Sequence, residues 1–203
     1  FDYVILGAGP AGMAAALTAR EHGVKVLVLD EQIQPGGQIY RNIETIKTTR
    51  PQEFQKLGQE YQSASRLVEN FRQCGAEHWF ERSIWQISKD LCIYHVNSSG
   101  EHDSSVPSII QTKHLLIAVG AMERPMPLPG WTLPGVMACT AADVLYKTSG
   151  LVPEGKVVLA GSGPLMLLIA CRMLDAGVQI NAILDTGNKT STLESLPLLP
   201  KAL

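Results

Sequence analysis

Residues Phe1 to Arg41 constrain the fold more than any other stretch. Tyr3-Val4-Ile5-Leu6 reads as a strand and Gly7-Ala8-Gly9-Pro10-Ala11-Gly12 as a turn. Met13 to His22 reads as a small-residue helix and Lys25 to Leu29 as a second strand, ending on Asp30-Glu31. The spacing is that of a βαβ unit for an adenine dinucleotide. Gly7 allows the sharp turn out of the strand, Gly9 lets a pyrophosphate approach the backbone, and Gly12 lets the helix pack on the sheet. Pro10 and Ala11 belong to the cofactor-binding turn, and the N–H groups and dipole of the helix that follows face the phosphates without any Lys or Arg. Ala14, Ala15 and Ala16 continue the close packing. Asp30, 18 residues after Gly12, stands where a carboxylate accepts ribose hydroxyls. A carboxylate there disfavours a 2′-phosphate and so argues against NADP in this site.

The loop after the second strand, Pro35-Gly36-Gly37-Gln38-Ile39-Tyr40-Arg41, tips the expected ligand from NAD toward FAD. Its glycines would let backbone approach the inner phosphates and ribityl chain, and Gln38 would add a side-chain hydrogen bond. A purely flexible turn is the competing reading.

Further along, Phe54, Leu57, Tyr61, Ala64, Leu67, Val68 and Phe71 recur at helical steps, which predicts one helix over Arg50 to Gly75 with a core-facing stripe. From Glu77 the period changes to that of strands. A strand, an antiparallel meander built on Ser83–Ser88 and Leu91–Val96 with a turn at Asn97-Ser98-Ser99-Gly100, and a return strand at Leu115–Val119 are expected. Ile84 falls where a strand end could meet an adenine ring. Small residues at the end of the return strand, Ala118-Val119-Gly120, suit a cofactor above the sheet. His78, His95, His102 and His114 show no metal spacing and read as surface or satisfied sheet histidines.

The theme then repeats. Lys156–Ala160 is a strand, Gly161-Ser162-Gly163-Pro164-Leu165-Met166 a turn, Leu167–Ala176 a helix, and Gln179–Leu184 a strand ending on Asp185. Met166 replaces the third glycine, and its long side chain should push the helix from the strand. A working NAD site built on Gly161, Gly163, Pro164, Leu165 and Asp185 and a retained fold without that ligand stay open as alternatives. The prolines of Pro127-Leu128-Pro129-Gly130 mark a crossover. The expected division is a Rossmann-like first domain over residues 1–125, with a parallel sheet and β-meander. Residues 126–203 read as the truncated start of a second Rossmann-like domain, with the Leu- and Pro-rich tail Leu193–Leu203 forming no obvious element.

Net charge is −2, which invites neither nucleic acid nor an anionic membrane. The apolar runs are too short to span a bilayer. The four cysteines form no C-x-x-C pair, so neither zinc nor a disulfide framework is encoded and a reducing cytoplasm is the expected compartment. The chain opens directly on a strand without a start methionine, which suggests trimming.

These motifs carry a resemblance. Two βαβ units joined through Ala118-Val119-Gly120 resemble the two-dinucleotide-binding-domain flavoproteins, the pyridine nucleotide-disulfide oxidoreductase-like group that includes thioredoxin reductase. Val28-Leu29-Asp30-Glu31, Pro35 to Arg41, Gly120-Ala121-Met122-Glu123-Arg124-Pro125, Pro129 to Met137 and Ala160 to Leu165 resemble more closely the A subunits of opine oxidases. With that group go hydrogen cyanide synthase subunits and amino-acid dehydrogenase alpha subunits. The resemblance implies an FAD-binding oxidoreductase subunit that passes on electrons while a second flavoprotein subunit oxidises the C–N bond of a small amine, such as an amino acid or opine. The runner-up is a scaffold subunit that binds an adenine nucleotide without turnover.

By the same resemblance Gly7, Gly9, Gly12, Asp30, Gln38 and Gly120 would touch FAD. Two departures stand out: Val119 replaces the threonine of an ATG motif, and the C-terminal segment that covers the flavin in the group is missing. Cys139 stands where thioredoxin reductases carry the first redox cysteine, but Ala142 holds the second position, which argues against disulfide reduction. No residue is singled out as catalytic.

Overall fold

The computed structural model describes residues 1–99 and 107–187. Gly100 of the expected turn, His102 and the tail Leu193–Leu203 lie outside them. The described chain forms two compact units that part between Met122 and Glu123.

The first unit opens with β1 (Tyr3–Leu6), α1 (Pro10–Glu21) and β2 (Val26–Leu29). Three helices follow, α2 (Ile43–Thr49), α3 (Pro51–Lys56) and α4 (Gly58–Gln73). The remaining strands are β3 (Glu77–Trp79), β4 (Arg82–Ile87), β5 (Cys92–Asn97), β6 (Ile109–Gln111) and β7 (His114–Ile117). A four-stranded sheet runs β3-β2-β1-β7 and is parallel throughout, with Leu6 opposite Leu29 and Ile117. The meander β4-β5-β6 is a separate antiparallel sheet.

Apolar runs in β1 and β2 bury both faces of the parallel sheet, as strands covered on both sides must. Val4, Leu6, Leu27 and Leu29 pack with Ile93 and Ile110 of the meander. The alternating residues face the helices, where Ile5 lies under Gly12 of α1. The unit is therefore layered as helices, parallel sheet and meander.

The single helix expected over residues 50–75 is two. Gly58 has φ +87°, a left-handed conformation open mainly to glycine, and it breaks the run after Leu57. The stripe survives the break, since Leu57, Tyr61, Ala64, Val68 and Phe71 are all buried. A further helix, α2, has no counterpart in the expected elements. It ends before Arg50 because the residue ahead of Pro51 is pushed out of helical conformation.

His95 is not a satisfied sheet histidine. It is buried, its Nε2 lies 2.9 Å from the Pro107 carbonyl, and Nδ1 has no partner. Burial holds its pKa below the ordinary 6.5, against the Pro107 hydrogen bond, with Arg82 adding to the lowering. Burial and the Arg72 charge lower His78 likewise, opposed by Glu44.

Because the folded state prefers both imidazoles neutral, their contribution is intact above pH 6.5 and is lost as pH falls through the window below it, where the unfolded chain takes up protons first. Urea midpoints are expected to be level from pH 8 to 7 and to fall below pH 6.5. His95→Gln should flatten part of that fall; an unchanged profile in the variant would show that His95 does not contribute.

The second unit contains α5 (Cys139–Ser149), β8 (Val157–Gly161), α6 (Pro164–Asp175) and β9 (Ile180–Asp185), with β8 and β9 parallel. Helix α5 is likewise absent from the expected elements. It is tied to α6 through buried Asp143, which meets Lys147 Nζ at 2.5 Å and Arg172 Nη1 at 3.0 Å.

Candidate nucleotide site

At the end of β1 the chain must leave the sheet and enter α1 within three residues, and the glycines do this for different reasons. Gly7 has φ +101°, and a Cβ there would stand 2.4 Å from the Ala118 carbonyl oxygen beside β7. At Gly12 a Cβ would fall 1.8 Å from the Gly7 carbonyl oxygen. Both glycines are therefore required by the fold itself.

Gly9 differs. Its φ is −74° and its ψ −178°, open to any residue, and a Cβ would meet nothing nearer than the Gly37 Cα at 3.9 Å. Among the described residues nothing demands a glycine here, so the space over Gly9 is a cradle that a side chain would fill.

That cradle lies at the start of α1. Gly9 is the N-cap and offers no side-chain acceptor, Pro10 occupies the first helical position, and no acidic residue sits in the first turn. The first intrahelical bond runs from Met13 N–H to the Gly9 carbonyl at 2.9 Å. The N–H groups of Ala11 and Gly12 precede it and have no intrahelical acceptor. An uncapped terminus with positive dipole character suits a phosphate group.

Ala8, which no motif reading singles out, is held from both sides. Its N–H donates to Asp30 Oδ2 at 2.6 Å and its carbonyl accepts from Gly36 N–H at 2.9 Å. Asp30 Oδ1 accepts from Gln32 N–H at 2.8 Å. Each carboxylate oxygen has two acceptor positions, so Asp30 can fix the turn and still accept ribose hydroxyls. The residues fit a dinucleotide: an uncapped helix start for the pyrophosphate and a carboxylate at the tip of β2 for the ribose.

The Pro35–Arg41 loop packs directly on the turn. Gly36 (φ +127°) and Gly37 (φ +60°) are needed by the fold, since a Cβ would stand 2.3 Å from the Tyr40 carbonyl oxygen in the first case and 3.0 Å from Gly9 Cα in the second. Their presence therefore does not by itself speak for a flavin. Gln38 and Glu31 are exposed. Arg41 is half-buried; its Nη1 donates to the Gln32 side chain, and its carbonyl accepts from the Tyr61 hydroxyl at 2.6 Å, which ties α4 to the loop.

Ile84 is not at a strand end. It is the third residue of β4, paired with His95 and packed against the core. Arg82 is nearer the tip of β2, its N–H bonded to the Asp30 carbonyl at 2.9 Å. Ala118 N–H continues the ladder to the Leu6 carbonyl at 2.8 Å, while Val119 and Gly120 beyond it are exposed. Thus Gly7, Gly9, Pro10, Ala11, Gly12, Asp30, Gly37 and Ala118 come together, and Ile84 does not join them. Gln32 and Tyr61 support the loop without any motif to announce them.

The second turn is built otherwise. Met166 is buried and its Sδ lies 3.5 Å from where a Gly161 Cβ would be. The backbone of the turn differs as well: Gly161 has φ +157°, and the N-cap Gly163 has φ +95° where Gly9 has −74°. Pro164 and Leu165 begin α6, exposed. Asp185 accepts from Gly187 N–H at 2.8 Å, two residues on, and Thr186 N–H takes the Gly161 carbonyl at 2.8 Å. Among the described residues, no bond like that from Ala8 to Asp30 links Asp185 to its turn.

The sequence matches the pyridine nucleotide-disulphide oxidoreductase family over residues 1–194. The A subunit of opine oxidase from Rhizobium meliloti is 40% identical over 205 residues, covering 100% of this chain and 38% of that protein. Hydrogen cyanide synthase subunit HcnB of Pseudomonas aeruginosa is 33% identical, covering 98% and 41%. The chain thus spans about two fifths of the length of these curated relatives. L-Proline dehydrogenase from P. horikoshii shares the fold with a TM-score of 0.67 at 20% identity, over 93% of this chain and 37% of that one.

The Rossmann-like α/β class and the resemblance drawn from the motifs are both borne out. With both glycine turns inside the matched span, the chain belongs to the pyridine nucleotide-disulphide oxidoreductase family.

Proposed function

We propose that the first unit binds FAD and that the chain is the cofactor-holding part of an oxidoreductase subunit working with a second flavoprotein subunit on an amino acid or opine-type secondary amine. The observation that carries the reading is Gly9, a glycine with ordinary backbone angles whose missing side chain leaves room at an uncapped helix N-terminus. Gly7, Gly9, Pro10, Ala11 and Gly12 would hold the pyrophosphate, Asp30 the ribose, and Gly37, Gln38, Ala118, Val119 and Gly120 the rest of the cofactor. Glu31 and Arg41 flank the ribose end.

Bound FAD supplies two-electron transfer, and the protein supplies position and electrostatics. Relatives named as oxidase and synthase subunits support a partner and an amine substrate. The second unit is NAD-binding-like, and its turn, with Met166 packed against it, is poorly built for a pyrophosphate. No helix among the described residues is long and apolar enough to cross a membrane.

The test is spectroscopic. The protein combined with its partner subunit should show a flavin absorption band that bleaches on addition of the amine. A colourless chain that takes up only ATP or NAD would instead establish the scaffold role.

A further inference from the structure

The connection entering the second unit is rich in proline, at residues 125, 127, 129 and 134, and residues 124–138 contain no helix or strand. It is nevertheless folded on itself by short turns. Trp131 N–H bonds the Leu128 carbonyl at 2.9 Å, Leu133 N–H the Gly130 carbonyl at 3.0 Å, and Val136 N–H the Leu133 carbonyl at 3.1 Å. Its two ends meet at Glu123.

The Glu123 carboxylate accepts the Thr140 N–H at 2.8 Å and the Cys139 N–H at 3.3 Å, and the Thr140 hydroxyl donates to it as well. These are the first residues of α5, whose N-cap Ala138 has no side chain able to accept a hydrogen bond. A carboxylate 16 residues before Cys139 thus does the capping that the local sequence cannot.

We propose that Glu123 is a clasp: its carboxylate closes residues 124–138 into a loop anchored on α5 and occupies the helix N-terminus that a thiolate at Cys139 would otherwise use. A helix N-terminus stabilises a thiolate, and a carboxylate already bound there opposes one. The Cys139 thiol is correspondingly pushed up to about 11, by burial first, then Glu123, then Asp143. Asp143 is compensated by Lys147 and Arg172, so Glu123 is the charge whose removal should be felt. The clasp both shapes the connection and keeps inert the cysteine that stands in place of a redox pair.

The test is the pH dependence of iodoacetamide alkylation at Cys139, followed by peptide mass spectrometry, together with amide hydrogen exchange over residues 139–141. Wild type should alkylate slowly up to pH 9. Glu123→Gln should move the midpoint toward neutral pH and raise the rate at pH 8 by about tenfold for each unit moved. Glu123→Ala should add faster exchange at Thr140. Thr140→Val, which keeps the carboxylate, should alkylate close to the wild-type rate. Wild-type alkylation in Glu123→Gln, or a faster rate with no shift in midpoint, would overturn the proposal. Glu123→Gln decides the matter even if Glu123→Ala fails to fold.

Discussion

Gly12→Ala is expected to destabilise the first unit by about 3 kcal/mol or more, the upper end of what overpacking costs. The added methyl would sit 1.8 Å from the Gly7 carbonyl oxygen and 3.3 Å from Ile5 Cγ2. The obstacle is backbone, so no rotamer change relieves it. Helix α1 would have to move off β1, uncovering the helix-side face of the sheet that it buries. Urea unfolding should show a clearly lower midpoint, because the loss is a large share of the roughly 5–15 kcal/mol that holds a domain folded. A midpoint within error of wild type would mean that α1 does not pack against β1 this closely.

Gly9→Ala, three residues earlier, should do the opposite. Its φ and ψ suit alanine, and a methyl would meet only Gly37 Cα at 3.9 Å. Two small effects oppose one another: a stiffer unfolded chain favours alanine by about 0.4–1 kcal/mol, and the N-cap position favours glycine by a similar amount. Stability should therefore stay within about 1 kcal/mol of wild type. Cofactor binding should not survive in the same way. A methyl over the helix N-terminus excludes a phosphate from the backbone N–H groups, and hydrogen bonds to a charged group are worth roughly 1.5–3 kcal/mol each. Loss of two such bonds weakens FAD binding by about a hundredfold or more, at 1.4 kcal/mol per decade. The pair of variants separates the glycine kept for folding from the glycine kept for a ligand.

Much of this architecture is legible in the residues because the constraints are local. The apolar runs at Val4–Leu6 and Val26–Leu29 can only be strands covered on both faces, and Gly7 and Gly12 fix the turn between strand and helix. What is not legible depends on interactions across the chain. Gly58 breaks a helix whose apolar stripe continues through the break, so periodicity alone cannot reveal it. Helix α5 is capped by Glu123 from a distance, and a search for a local N-cap at Ala138 finds nothing. His95 looks like any strand residue until the meander that carries it packs against the parallel sheet, with the Trp79 ring 5.8 Å from its own. In the site, the bond from Ala8 to Asp30 has no sequence signature, and it shows that the carboxylate expected to hold ribose also holds the turn. Conversely, Gly36 and Gly37, which in the sequence point to a flavin, are accounted for by their own backbone angles and neighbours.

The space over Gly9 belongs, on this account, to the pyrophosphate of FAD. The most direct measurement is the flavin content of wild type and Gly9→Ala purified side by side, read from absorption near the flavin band and from mass spectrometry of what denaturation releases. FAD retained by wild type, with little or none in an equally folded Gly9→Ala, is the predicted result. Equal flavin in both, or a different nucleotide released from wild type, would contradict it.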